Sequence, residues 1–179
     1  MARALIVCSS TDGQTRKICE HLARLLEGGG HAVSLVMIEH APSPAAGSYE
    51  LVVIGARVRY GRTDARVITY ANDHAALLDA LPSAYFSVNI VARKPGKDRP
   101  ETNPYVRKFL RRVAWRPRLQ EVFAGRLDYP RYGACDRLII RLIMWLTGGP
   151  TASDAVVEYT NWQRVDAFGA VLNSTLAAA

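Results

Sequence analysis

Arg3-Ala4-Leu5-Ile6-Val7-Cys8-Ser9 is a short apolar run that breaks into the polar turn Ser10-Thr11-Asp12-Gly13-Gln14-Thr15. A run of that kind suits a parallel strand buried on both faces. From Thr15 to Leu26 the apolar residues Ile18, Leu22, Leu25 and Leu26 form a helical stripe, which stops at Gly28-Gly29-Gly30. A strand, a tight turn and a helix in that order aim backbone N–H groups and the positive end of a helix dipole at one small anion. Gly13 lets the chain turn closely around it, and the hydroxyls of Ser9, Ser10, Thr11 and Thr15 are possible donors. No lysine or arginine stands in Ser9–Thr15, so the cradle is neutral and suits a phosphate monoester held permanently rather than transferred. The turn lacks G-x-x-x-x-G-K-S/T, which excludes a P-loop NTPase, and lacks the dinucleotide pattern G-x-G-x-x-G. A phosphatase loop C-x5-R starting at Cys8 would need arginine where Gln14 stands. The plainer alternative is an ordinary helix start with Asp12 or Thr11 as N-cap; the turn's place after the first strand favours the phosphate.

Outward from this junction, strands alternate with helices. Ala32–Ile38, Leu51–Ala56, Ala84–Val91 and Glu121–Gly125 read as further strands, the third richest in β-branched residues. Ala65–Leu81 reads as one helix ending before Pro82, and Pro104–Val113 as a short basic helix. Cys135–Leu146 and Asn161–Leu176 are the closing helices. This pattern predicts an α/β fold, a doubly wound five-stranded parallel sheet in the order 2-1-3-4-5, with ligands at the carboxyl ends of the strands beside the switch point. The chain reads as a single domain over residues 1–179, with a basic insertion around 92–159.

Two more loops reach that switch point. Ala56-Arg57-Val58-Arg59-Tyr60-Gly61 leaves the third strand; Tyr60 can pack on a flat ring, Gly61 allows close backbone approach, and Arg57 and Arg59 can meet a carboxylate or the negative charge of a bound ring system. Ser87-Val88-Asn89 offers amide contacts to a third ligand edge.

Charge is unevenly spread. The 179 residues carry +7, yet Arg93–Arg141 holds 14 Lys and Arg against five Asp and Glu, a local +9, while the remainder sums to −2. Such a segment attracts anionic lipid headgroups or acidic substrates. Cys8, Cys19 and Cys135 are widely spaced and the four histidines scattered, which predicts reduced thiols in the cytoplasm and no metal site. The stretch Arg137–Leu146 is apolar on nearly every side and too short to span a bilayer; a membrane interface or a sister subunit would cover it.

Beyond these local readings, the sequence resembles a family along essentially its whole length. Ser9 with Asp12-Gly13-Gln14-Thr15, Ile54-Gly55-Ala56 with Arg59-Tyr60-Gly61, and Ser87-Val88-Asn89 with Val91-Ala92-Arg93-Lys94-Pro95 carry the likeness. Arg107-Lys108-Phe109-Leu110, Trp115-Arg116-Pro117, Tyr129-Pro130-Arg131-Tyr132, Asp136-Arg137 and Leu142-Ile143-Met144 extend it. They resemble the quinone-dependent protoporphyrinogen IX dehydrogenases, of flavodoxin-like fold; Thr11 departs, standing where that family has a basic residue. The resemblance implies FMN on the three loops, protoporphyrinogen IX as substrate, menaquinone or ubiquinone as acceptor, and a peripheral place on the cytoplasmic face of the inner membrane. Arg93, Lys94, Lys97 and Arg131 become candidates for the substrate's propionates, while no catalytic acid or base stands out. A homo-oligomer is compatible with it, and no nucleic-acid partner is expected. An NAD(P)H:quinone oxidoreductase of the same fold, a simple electron-transfer flavodoxin and a non-enzymatic membrane adaptor are the competing expectations.

Overall fold

A computed structural model of the protein describes residues 1–45, 47–146 and 148–178. The central sheet is built from β1 (Arg3–Ser9), β2 (Ala32–Met37), β3 (Leu51–Arg59), β4 (Arg62–Thr63), β5 (Ser83–Val88) and β6 (Leu119–Phe123). Five of these run parallel in the order β2-β1-β3-β5-β6, and β4 folds back antiparallel on β3. Along the parallel strands this is the expected 2-1-3-4-5 order. The helices are α1 (Gln14–Gly28), α2 (Ala65–Asp73), α3 (Ala75–Ala80), α4 (Pro104–Leu110), α5 (Ala134–Leu146) and α6 (Trp162–Ala177).

Strand alternation divides the core into two layers. Leu5 and Val7 of β1, with Val52 and Ile54 of β3, face Val67, Leu78, Val106 and Phe109 of α2–α4. Ala4, Ile6 and Cys8, with Val53 and Phe86, face Ile18, Leu22 and Leu26 of α1 and Phe168 and Leu172 of α6. Each fully buried side chain of this size stabilises by about 1.5–3 kcal/mol, so the two layers carry the fold. Gly55 is required by close approach: a Cβ there would lie 2.3 Å from Phe86 and 2.9 Å from the Cys19 sulfur.

Several element boundaries differ from expectation. The helix foreseen over 65–81 is two, broken at His74, whose backbone leaves the helical region at φ −114° and ψ 15°. The fourth parallel strand ends at Val88 rather than Val91, because Asn89 accepts from Ala92 N at 3.0 Å and winds Ile90–Arg93 into a 3₁₀ turn. The third extends to Arg59 and turns back, the last parallel strand begins at Leu119, and α4 stops at Leu110. A second, two-stranded sheet was not foreseen. It pairs β7 (Arg126–Asp128) with β8 (Val156–Glu158) antiparallel and stands beside the ligand end of the main sheet.

Candidate functional site

Strands β1, β3 and β5 end on the same side of the sheet, and their loops converge on one cavity of about 150 Å³. Its floor is the turn before α1. Gly13 adopts φ 90°, a left-handed conformation that favours glycine, and its N–H donates to Ser10 Oγ at 3.2 Å. Gly13 itself is the N-cap, in place of Asp12 or Thr11, and no side chain caps α1 among the described residues. The first N–H groups of α1 therefore stay available to an anion; the first turn of the helix holds no acidic residue, and Asp12 just before it is the one carboxylate of Ser9–Thr15.

Other loop side chains are spent on fixing the turn. Ser9 is buried and donates to Asp64 Oδ2 at 2.7 Å. Gln14 donates through Nε2 to Thr160 Oγ1 at 2.9 Å and Glu158 Oε1 at 3.1 Å, tying α1 to β8 and the residues after it. Lys17 and Trp162 also reach Glu158; together with Gln14 they outweigh its burial and hold its carboxyl below the ordinary value.

The second wall is the β3–β4 hairpin. Arg59 pairs with Arg62, leaving Tyr60-Gly61 as a two-residue turn with φ 50° and 71°. Positive φ at both positions is the hairpin turn whose twist matches its strands. For a tyrosine it is strained. The Tyr60 ring is 43% exposed, the Arg59 guanidinium lies 5.3 Å from its centroid, and both side chains donate to Asp136 of α5. Burial and the bond to Asp136 push the Tyr60 hydroxyl above its ordinary pKa.

The third wall holds Val88, Asn89, Ile90 and Val91, with Gly125, Arg126 and Leu127 beyond them. The Asn89 amide donates to Ser87 Oγ at 3.1 Å and exchanges longer bonds with Asn103, so its side chain stiffens the turn. Over the top lies α5, whose Ile140, Ile143 and Met144 recur at helical spacing and close the cavity with apolar surface.

Of the foreseen ligand residues, Ser10, Thr11, Asp12, Gln14, Thr15, Arg57, Val58, Arg59, Tyr60, Gly61, Val88 and Asn89 line this one cavity. Ser9, Ala56 and Ser87 stand buried behind it, and Gly13 acts through its backbone. Arg93, Lys94, Lys97 and Arg131 are not among the lining residues: Arg93 donates to Ile90 O and lies over the Tyr159 ring, and Lys97 and Arg131 are exposed. The lining cations are Arg57, Arg59 and Arg126. Tyr105, Tyr132 and the inner stripe of α5 escaped the sequence reading, although the spacing of Ile140, Ile143 and Met144 carried a usable signal.

Residues 5–154 match the family model described as a flavodoxin domain. The protoporphyrinogen IX dehydrogenase (quinone) of Escherichia coli strain K12 is 43% identical over 166 residues, covering 93% of this chain and 92% of that protein. Its namesake from Leishmania major is 43% identical over 167 residues, 93% of this chain and 72% of its own. The chain belongs to this dehydrogenase family within the flavodoxin-domain proteins. Among solved structures, an archaeal flavodoxin superposes with a TM-score of 0.55 at 13% identity, covering 98% of this chain and 99% of that one. A cysteine-to-alanine mutant of the flavodoxin from Pseudomonas aeruginosa gives 0.52 at 12% identity over 98% and 99%; both likenesses concern the fold alone.

The cofactor that a flavodoxin domain implies is FMN, and the residues present fit it. The uncapped N-terminus of α1 suits a phosphate monoester. Tyr60 and the apolar side chains Val88, Ile90 and Leu127 suit the faces of a flat ring system.

Proposed function

We propose that this protein oxidises protoporphyrinogen IX to protoporphyrin IX with FMN as cofactor and a membrane quinone as acceptor. The observation that carries the reading is the convergence of three loops and α5 on a single cavity at the carboxyl ends of the sheet, in a chain that is 43% identical over 166 residues to dehydrogenases of that name. The balance is six electrons and six protons leaving the macrocycle and three quinones becoming three quinols. When bound, the flavin supplies the two-electron acceptor for each step. The chain's own residues bind and orient. The Ser10–Thr15 turn holds the phosphate end, Tyr60 and the Val88–Val91 turn confine the ring, and Ile140, Ile143 and Met144 exclude water from above. Arg59 and Arg126 stand in the wall, each paired with an aspartate, Asp136 and Asp128, so the carboxylates of a porphyrinogen would meet only the positive charge those pairs leave over. The basic loop residues Arg93, Lys94, Lys97 and Arg131 lie outside that wall and serve as an outer guide for the same carboxylates.

The outward face of α5 supports a peripheral membrane location for this function. Leu138, Leu142, Trp145 and Leu146 are more than half exposed, and Arg131, Arg137 and Arg141 flank them. Asp136, the one acid of α5, is turned inward to Arg59 and Tyr60, so the outward face is apolar and cationic. Among the described residues no helix is long and apolar enough to cross a membrane. This pattern supports peripheral docking on an anionic bilayer, at the cytoplasmic face of the inner membrane, where a quinone is within reach.

Porphyrin fluorescence decides the activity. Purified protein with FMN, protoporphyrinogen IX and a menaquinone or ubiquinone analogue, without NAD(P)H, should generate it under exclusion of oxygen. No gain over a quinone-free control, or a strict need for NAD(P)H, would refute the reading.

A further inference from the structure

We infer that Arg57, braced by Asp64, is the cation of the phosphate end of the cavity, so that this chain selects a phosphate monoester by charge as well as by backbone N–H groups. The inference rests on the FMN reading above.

The turn from Ser9 to Thr15 contains no basic residue, and the cations just after it are engaged elsewhere. Arg16 pairs with Glu20 at 2.7 Å and Lys17 with Glu158 at 3.2 Å. Arg57 is placed differently. Ala56 is the register partner of Ser9, so Arg57, still in β3 and paired with Val88 of β5, lies level with Ser10, where β1 has ended. Gly55 faces α1, since a Cβ there would strike Cys19. Two residues on, Arg57 leaves the strand on that same face, toward the N-terminus of α1.

Its guanidinium meets Asp64, the N-cap of α2. Arg57 Nη2 lies 3.5 Å from Asp64 Oδ2, the oxygen that also accepts from Ser9 Oγ at 2.7 Å. Asp64 spends most of its charge on Arg66, which donates from Nη2 at 2.6 Å and from Nε at 3.0 Å. Arg57 is thus oriented by a carboxylate that does not fully neutralise it. Its Nε is buried and has no hydrogen-bond partner among the described residues. The side chain as a whole is 24% exposed and lines the cavity, so it is the Nη N–H groups that a ligand oxygen can meet. Arg59 is paired with Asp136 and Arg126 with Asp128 at 2.9 Å. The Arg126 Nε also lacks a partner among the described residues, but Arg126 follows β6, three places from β1 in the sheet, whereas Arg57 lies on β3, directly beside β1.

The test compares FMN with riboflavin, which differ only in the phosphate. Dissociation constants are read from quenching of flavin fluorescence by apoprotein, for wild type, Arg57→Met, Arg57→Lys and Asp64→Asn. Arg57→Met should weaken FMN about tenfold to a hundredfold, the scale of a lost charge-assisted hydrogen bond, and leave riboflavin within about twofold. Arg57→Lys should recover part of the loss, and Asp64→Asn, which frees the guanidinium, should cost FMN less than Arg57→Met does. Inorganic phosphate should compete with FMN more weakly in Arg57→Met than in wild type. Equal loss for both flavins, no loss for either, or a shifted flavin midpoint potential at unchanged affinity would overturn the assignment. Wild-type protein that binds neither flavin would instead overturn the FMN reading, and the inference with it; wild-type binding leaves that reading standing whatever Arg57→Met does.

Discussion

Asp136 accepts a hydrogen bond from the Tyr60 hydroxyl, joining α5 to the β3–β4 hairpin across the mouth of the cavity. Arg59 donates to the same carboxylate, so one acidic side chain fastens the cover to the turn that confines the ligand. Asp136→Ala removes both contacts while leaving Ile140, Ile143 and Met144 in place. Amide exchange across 134–146 should speed up several-fold, and bound flavin should dissociate faster, with little change in melting temperature. Unchanged exchange would mean that apolar packing alone keeps α5 closed.

Asp64 governs acid sensitivity. Its hydrogen bonds from Arg66, then from Ser9, with Arg57 nearby, hold its carboxyl well below the usual carboxylate range despite burial. A depressed folded-state value contributes stability that is complete above the unfolded value and lost as pH falls through the folded one. Asp64→Asn should therefore lower unfolding free energy by about 2 kcal/mol at neutral pH. The gap to wild type should stay constant from roughly pH 7 to pH 5 and narrow only below roughly pH 4. Urea titrations across that range check it, and a gap that widens on acidification would contradict the sign.

How much of this was legible in the sequence follows from the range of the forces involved. The junction from Arg3 to Thr15 announced itself because a buried parallel strand and a glycine turn are local features, and the strand order followed from alternation with helices. Boundaries failed where a side chain overrode the local pattern, as Asn89 does in ending β5. Ser9 was read as a phosphate donor, yet its hydroxyl is taken by Asp64, 55 residues away. The β7–β8 pair was invisible because β7 and β8 are three residues each and their partnership spans the whole of α5. Helix α5 was recognised as apolar all round, but only the fold shows which stripe meets the cavity.

Gly55 tests the packing behind the site. Its missing Cβ is what lets Phe86 and Cys19 approach β3. Gly55→Ala should cost about 1–3 kcal/mol through overpacking. Gly28→Ala, where a Cβ meets nothing, is the matched control. Thermal unfolding of the two variants should separate them; equal melting temperatures would show that Phe86 simply swings aside.

The last prediction concerns where the protein works. If the outward face of α5 meets lipid, wild type should float with vesicles rich in anionic lipid, bind neutral vesicles weakly and lose binding as salt rises. Leu142→Ser and Trp145→Ser each remove apolar area that is more than half exposed, so neither should destabilise the fold, and together they should abolish flotation. Arg141→Glu should act differently, weakening attachment by about 1 kcal/mol or more through charge, and only on anionic vesicles. A second copy of the chain is the other surface able to cover these residues. Sedimentation of wild type as a dimer that falls to monomer in Leu142→Ser/Trp145→Ser, with no flotation of either, would assign the face to self-association instead. Because α5 also closes the cavity, the two outcomes differ in mechanism: lipid docking brings the acceptor to the cover of the site, whereas a dimer interface buries that cover away from it.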